Sequence, residues 1–308
     1  MQAIGVDVGG TKIAALRIDA AGSVRARSAR PTPASDAAGT LDALEACVRE
    51  LLEDDVVGIG AGVAGLVASG PGVVRFSPNT AWGELAVGER LDRAFGLPWR
   101  VDNDATAAAF GEARFGAGRG ARTMVLLTVG TGIGGGIVLD GRPFVGANGF
   151  AGEFGHVTVD PAGPVCGCGN RGCLEILASG NAIGRYGREA AAREPSSALA
   201  RSGLIERIDG RVVARLAEQG DALAREAIAT AGRWLGIGIA GIVDVLDPEI
   251  VVVGGGAAAA GEFLLAPARD ALAATVVGSA HRPTVPVVPA TLGNDAGAIG
   301  AAAATFPP

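Results

Sequence analysis

The stretch AIGVDVGGTKIAALRIDAAGSVRARSA, residues 3–29, decides the fold. Its short apolar runs are bounded by Gly and Asp, which predicts strand, glycine turn, strand, short turn, strand. The stretch TMVLLTVGTGIGGGIVLDGRPFVG, residues 123–146, has the same order. One architectural unit is therefore used twice. Between and after the two copies, strand and helix patterns alternate. TLDALEACVRELLE (40–53) has apolar residues at helical spacing, and VVGIGAGVAGLV (56–67) is a buried strand with glycine turns. WGELAVGERLDRAFG (82–96) predicts a helix and WRVDND (99–104) a strand with a polar end. NDATAAAFGEARFG (103–116) is a helix capped by Asn103 or Asp104. Further on, residues 176–192, 221–246 and 296–306 are helical, and EIVVVGGG (249–256) is another buried strand with a glycine turn. Strands followed by helices, repeated, define an α/β protein.

At 308 residues the chain suits one large or two medium domains. Apolar residues make up 49% and Gly numbers 50, a globular composition that argues against disorder. The net charge of -6 and the lack of a basic run exclude nucleic acid as an expected partner. MQAIGVDVGG lacks the basic start and long apolar run of a signal peptide. No stretch of ~20 residues is continuously apolar enough to span a membrane. GRWLGIGIAGIVDVL comes closest, but it is short and ends among Asp244 and Asp247. A cytoplasmic location, where thiols stay reduced, is the expectation. Lysine occurs once, at Lys12 inside DVGGTK, against 25 Arg. A GC-rich genome explains the Arg excess but not the position of that one Lys.

In Asp7-x-Gly9-Gly10-Thr11-Lys12, consecutive small residues let backbone N–H groups point into one concavity, which suits phosphate. Asp7 can hold Mg²⁺ through water, because a hard cation on phosphates keeps much of its hydration shell. A tight hairpin alone would also explain these glycines. Gly130-Thr131-Gly132-Ile133-Gly134-Gly135-Gly136 contains G-x-G-x-x-G, yet a strand follows where a dinucleotide site needs a helix. A P-loop fails as well, since its Lys is missing. What remains is a second phosphate turn equivalent to the first. Gly254, Gly255 and Gly256 after EIVVV let a flat adenine or ribose approach the backbone, or serve only as a strand-to-helix turn.

Asp104 lies at a strand end and a helix start, where α/β proteins place ligands. It is either an N-cap or a base that takes a proton from a substrate hydroxyl, and the phosphate turns favour the base. Asp102 reads as structural. In HVTVDPAGPVCGCGNRGCLE (156–175), His156, Cys166, Cys168 and Cys173 crowd into 18 residues of a chain with two His and four Cys. Four such ligands in one loop match a closed, structural tetrahedral Zn²⁺ site rather than a catalytic one. Disulfides are disfavoured in the cytoplasm and across Cys-x-Cys. Glu153 and Glu175 flank the loop, and zinc would aim both carboxylates at sugar hydroxyls. Cys47 reads as a core residue and His281 as a surface one.

GEFGH followed by CGCGNRGCLE resembles the signature of the ROK family, which groups bacterial sugar kinases with related repressors. DVGGTK, NDA, GTGIGGG, the metal loop, GGG and GNDAGAIGAA follow in family order along the whole chain. TVGTG departs from the many relatives that have a second small residue before GTG. Within the family the resemblance is strongest to ATP-dependent glucokinases of high-GC Gram-positive bacteria. It implies two actin-like (ribonuclease H-like, hexokinase-type) α/β domains with an interdomain cleft. Residues 1–116 with 293–308 would form the small domain and 117–292 the large one carrying the zinc loop. The C-terminal helix would return to the small domain.

The resemblance also implies ATP and Mg²⁺ as cofactors and glucose as substrate, phosphorylated at its 6-hydroxyl. It makes Asp104 the general base. Gly65, Asn79, Asn103, Glu153, His156 and Glu175 would meet the sugar, with His156 also on zinc. Asp7, Gly9, Gly10, Thr11 and Lys12, with Gly130, Thr131, Gly132, Gly134 and Gly254–Gly256, would meet the nucleotide. Repressors of the family carry an N-terminal helix-turn-helix, and with DVGGTK beginning at Asp7 none is expected here. Polyphosphate-using relatives commonly lack the cysteine loop, which favours ATP. A homodimer or higher homo-oligomer is what the family suggests. Another hexose or N-acetylhexosamine as substrate, and a sugar sensor without catalysis, are the rival readings.

Overall fold

The computed structural model describes residues 1–307 apart from 69 and 78–81. β1 (Gln2–Val8), β2 (Lys12–Asp19) and β3 (Val24–Pro31) form an antiparallel meander. After α1 (Ala37–Leu51), β4 (Val56–Val63) pairs parallel with β1. β5 (Leu66–Ala68), β6 (Val73–Phe76) and β7 (Leu85–Ala86) make a small antiparallel sheet. α2 (Val87–Phe95) leads to β8 (Trp99–Asn103), parallel to β4, and then to α3 (Asp104–Phe115).

The second copy of the meander is β9 (Met124–Val129), β10 (Ile133–Leu139) and β11 (Arg142–Pro143). Helices α4 (Leu174–Ala178), α5 (Gly180–Arg193), α6 (Ala198–Arg201), α7 (Gly210–Glu218) and α8 (Ala222–Leu246) follow. The chain ends with β12 (Ile250–Gly254), α9 (Glu262–Thr275), β13 (Val287–Pro289) and α10 (Ala296–Ala303). The two large sheets run β3-β2-β1-β4-β8 and β11-β10-β9-β12-β13. The repeat read from the two glycine turns is thus a repeat of strand order.

The chain forms two compact units, Met1–Leu126 with Gly136–Gly152 and Ala290–Pro308, and Leu127–Gly135 with Glu153–Pro289. The sequence reading set the division after residue 116 and resumed the first domain at 293. The compact units part inside β9 and β10, and at Gly136 β10 lies against α3, where an added Cβ would sit 2.6 Å from Ala105 O.

In the first unit, β1 and β4 are buried along most of their length, as strands covered on both faces must be. α1 covers one face, with Leu44, Cys47, Val48 and Leu51 packed on Ile4, Val6 and Ile13. α10 covers the other, with Ala298, Ile299 and Ala302 packed on Ala3, Leu16 and Ile18. It lies directly on the strand backbones. A Cβ on Gly5 would meet Ala298 O at 1.8 Å, and one on Gly60 would meet Ala301 O at 1.9 Å. β3 alternates, and its exposed positions Arg25 and Arg27 guard the sheet edge.

In the second unit, α8 packs against α9, α5, α7 and α4. It begins at Ala222, capped by the Asp221 side chain, well before the apolar stretch noted at 232–246. Among the described helices it is the one long and apolar enough to cross a membrane, but Leu235, Ile239 and Val243 are buried in this unit's core.

Three local expectations change. The helix expected over 82–96 starts only at Val87, because Leu85 and Ala86 pair with Val74 and Val73 of β6. The helix expected over 176–192 is split at Ser179, whose side chain caps α5 by accepting from Ala182 N. α9, with Pro267 inside it, and the small β5–β7 sheet were not anticipated.

Candidate active site

In the first unit, the chain leaves β1 at Val8 and turns at Gly9–Thr11 into β2. Gly9 N–H closes the turn on Lys12 O at 3.1 Å. Thr32 braces it from β3's end, its hydroxyl donating to Gly9 O at 2.7 Å. Thr11 and Lys12 are exposed on it. Asp7 sits just before the turn, under the first turn of α10. A Cβ on Gly297 would lie 3.4 Å from the Asp7 Cγ. Burial first, and then the charge of Asp104, push the Asp7 carboxyl up to about 7, with Lys12 opposing.

Asp104 opens α3. Its predecessor Asn103 does the capping, its Oδ1 accepting from Ala105 N at 2.9 Å and Thr106 N at 3.1 Å. That removes the reading of Asp104 as a mere cap. Asp104 Oδ1 accepts from Ala105 N at 2.8 Å, and burial raises its carboxyl above the usual range against that bond and the Asn103 side chain. Asn103 Nδ2 donates to Gly65 O at 3.1 Å, so two residues expected at the sugar brace each other. Gly65 has a φ of 133° and a Cβ there would meet Phe76 O at 2.1 Å, so only glycine serves. Asp102 holds Arg100 at 2.5 Å, the structural role expected. Asn79 lies outside the described residues.

In the second unit, Gly130 N–H donates to Gly132 O at 2.9 Å to close the other glycine turn. The turn is shorter than the run 130–136 suggested, since Ile133 already starts β10 and Gly134 is a strand residue. Gly130 and Thr131 open on a cavity of about 670 Å³, walled by Asn181 at the start of α5, by Arg211 and Arg215 of α7, and by Gly256. Of the GGG run, Gly254 ends β12 and Gly255 is packed on β9, where a Cβ would meet Val129 O at 2.5 Å. Only Gly256 faces the cavity. Asn181 and the α7 wall were missed by sequence reasoning. Only the Ser-Gly-Asn helix start at 179–181 hinted at them.

The metal loop belongs to the same unit. Phe154–His156 form a 3-10 turn, and Cys173 bridges back to Thr158. Cys166 N–H donates to Asn170 O at 2.7 Å and Gly169 N–H to Cys166 O at 2.9 Å, folding a tight knuckle. Cys166 Sγ lies 3.9 Å from His156 Nδ1, and Cys168 Sγ lies 3.6 Å from Cys173 Sγ. All four donor atoms fall within 4.8 Å of one another. A tetrahedron of Zn–S bonds near 2.3 Å has edges of about 3.8 Å, so the donors fit zinc in kind and spacing. The cysteines are free thiols, and burial, with Cys168 and Cys166 adding, pushes Cys173 up to about 12. Glu153 at the loop's start is exposed, whereas Glu175 at its end is half-buried.

Two sheets with a shared 3-2-1-4-5 strand order and glycine turns after their first strands define an actin-like, hexokinase-type kinase fold. The ROK family model matches residues 3–305, and the chain belongs to the ROK family. It is 39% identical over 304 residues to a glucokinase of Streptomyces coelicolor, covering 97% of this chain and 96% of that one. A ROK family glucokinase from Streptomyces griseus, solved with glucose and AMPPNP, is 40% identical with a TM-score of 0.86, covering 98% of both chains. A ROK family transcriptional regulator, homologous to the Escherichia coli MLC protein, superposes with a TM-score of 0.89 at 29% identity. It covers 99% of this chain and 77% of the regulator.

Proposed function

We propose that the protein transfers the terminal phosphoryl group of ATP to the 6-hydroxyl of glucose, giving glucose 6-phosphate and ADP. The observation that carries this is Asp104. Asn103 has taken over the cap, and burial raises the Asp104 carboxyl above the usual carboxylate range, which makes it a stronger proton acceptor. The full-length likeness to glucokinases supports the same reading.

Asp104 holds the 6-hydroxyl and takes its proton as the oxygen attacks. Phosphoryl transfer asks for little more than positioning and charge neutralisation. In the first unit Gly9, Gly10, Thr11 and Lys12 offer a phosphate turn; in the second Gly130, Thr131 and Gly132 offer another, and Gly256 borders the base and ribose. Asp7 would hold Mg²⁺ through water, and the ion would supply neutralisation of phosphate charge. Gly65, Asn79, Asn103, Glu153, His156 and Glu175 orient the sugar. His156, Cys166, Cys168 and Cys173 hold a structural Zn²⁺ that keeps the loop from Glu153 to Glu175 in shape. A homodimer or higher homo-oligomer is proposed from the family pattern, and light scattering of the purified protein tests it.

The test is ATP consumption with glucose, mannose, fructose, N-acetylglucosamine and N-acetylmannosamine, with zinc measured on the same sample. Turnover with glucose well above the rest is expected. Preference for another sugar replaces the substrate and leaves Asp104 as base. No turnover in zinc-replete protein overturns the kinase and favours a sensor.

A further inference from the structure

We infer that Glu175 holds the phosphate turn at Gly130–Ile133 in shape, so that nucleotide affinity depends on it even when no sugar is bound. The inference rests on the proposed reading of that turn as a nucleotide site. It gives Glu175 a positioning role separate from its contact with sugar.

Glu175 lies in the first turn of α4, two residues after the ligand Cys173. Its Oε2 accepts from Ile133 N–H at 3.0 Å. A Cβ on Gly132 would sit 2.2 Å from the same oxygen, so the carboxylate rests directly against the turn. Its Oε1 faces the metal loop, 3.9 Å from Cys166 Sγ. The turn has two other supports in this unit. Gly180 N–H donates to Gly130 O at 2.8 Å. Gly155, beside His156, is so close that a Cβ there would lie 2.1 Å from Ile133 O. Those two supports are backbone on backbone. Glu175 is the one that acts through a side chain, so substitution can remove it alone. A carboxylate accepting a backbone amide is a charge-assisted bond, and losing it leaves a half-covered N–H without a partner. The turn then loses preorganisation that nucleotide binding would have to restore.

The experiment measures binding of AMPPNP with Mg²⁺ by calorimetry, on full-length zinc-loaded protein without sugar, for wild type, Glu175→Gln and Glu175→Ala. The Gln carbonyl can still accept from Ile133 N–H, and Ala cannot. Glu175→Ala is expected to bind roughly tenfold or more weakly, the usual consequence of losing a bond to a charged group. Glu175→Gln should stay within about threefold of wild type, although both variants bind glucose poorly. Wild-type nucleotide affinity in Glu175→Ala would show a sugar ligand only and overturn the inference. Wild type failing to bind AMPPNP would instead overturn the nucleotide reading itself, and the inference with it.

A second variant reads the same contact independently. Gly132→Ala pushes a methyl into the Glu175 carboxylate and should weaken AMPPNP binding. The loss should be smaller when Glu175 is already Ala. Fully additive losses would overturn the contact as the cause. Should Glu175→Ala fail to fold, unchanged AMPPNP affinity in Gly132→Ala alone does so.

Discussion

Replacing Asp7 with Asn should stabilise the ligand-free protein, and more so at high pH than at low. Asp7 is the last residue but one of the buried strand β1, beneath α10, and its carboxyl rises from 3.8 to about 7 through burial and the nearby Asp104 charge. The folded protein therefore holds the Asp7 proton more tightly than the unfolded chain does. Its contribution to stability is fully present below pH 3.8 and is lost as pH rises through about 7. Above that, the ionised carboxylate stays buried at full cost. At about 1.4 kcal/mol per pH unit, the whole displacement has a ceiling of about 4 kcal/mol. About half of it falls between pH 5.5 and 8, some 2 kcal/mol.

Asn is close to isosteric and does not titrate, so its advantage should grow by that amount across the interval. For a protein of this size, roughly 2–4 °C accompanies each kcal/mol, which predicts a gain in Tm about 4–8 °C larger at pH 8 than at pH 5.5. Calorimetry of wild type and Asp7→Asn, free of magnesium and sugar, measures it. The same variant should lose kinase activity if the carboxylate serves Mg²⁺ as proposed. An equal Tm gain at both pH values would mean that ionisation is not the source. A lower Tm at pH 8 would refute the reasoning outright.

Asp104→Asn should lower kcat by roughly 10²–10⁴, the usual range for a general base, while glucose affinity measured by calorimetry stays within a few-fold. Near-normal turnover would end the base assignment. Cys173→Ser should abolish stoichiometric zinc and weaken glucose binding, and unchanged glucose affinity after verified metal loss would contradict the loop's role. Gly60→Ala forces α10 off β4, since its Cβ would lie 1.9 Å from Ala301 O, and should cost about 1–3 kcal/mol. An unchanged Tm would show that the helix can slide away freely.

The sequence carried the fold because its decisive signals are local. Asp7 and the glycines after it are adjacent in the chain, and so are the glycines at 130–136, which is why the repeated meander could be read. The clustering of His156, Cys166, Cys168 and Cys173 was legible for the same reason, since four rare donors share one loop. What was not legible depends on distant partners. Leu85 and Ala86 continue a plausible helical pattern, and they become β7 only because β6 offers an edge. α7 is an ordinary amphipathic helix, and nothing in it says that Arg211 and Arg215 wall a cavity with Asn181 and Gly256.

The glycines make the limit concrete, because one letter stands for several physical demands. Gly60 is small so that a helix can rest on a strand backbone. Gly65 is glycine for its φ of 133°. Gly132 leaves room for the Glu175 carboxylate, and Gly255, expected at a flat ring, gives way to Val129 O instead. Each demand is set by the atom opposite, which sequence does not name. Asp104 belongs to the same class of problem. As a letter at a helix start it is most simply a cap, and it becomes a candidate base only once Asn103 is seen to hold the amides of Ala105 and Thr106. The case for Asp104 as a base over a mere cap therefore rests on that one-residue displacement, and the kcat of Asp104→Asn is the quantity that tests it most directly.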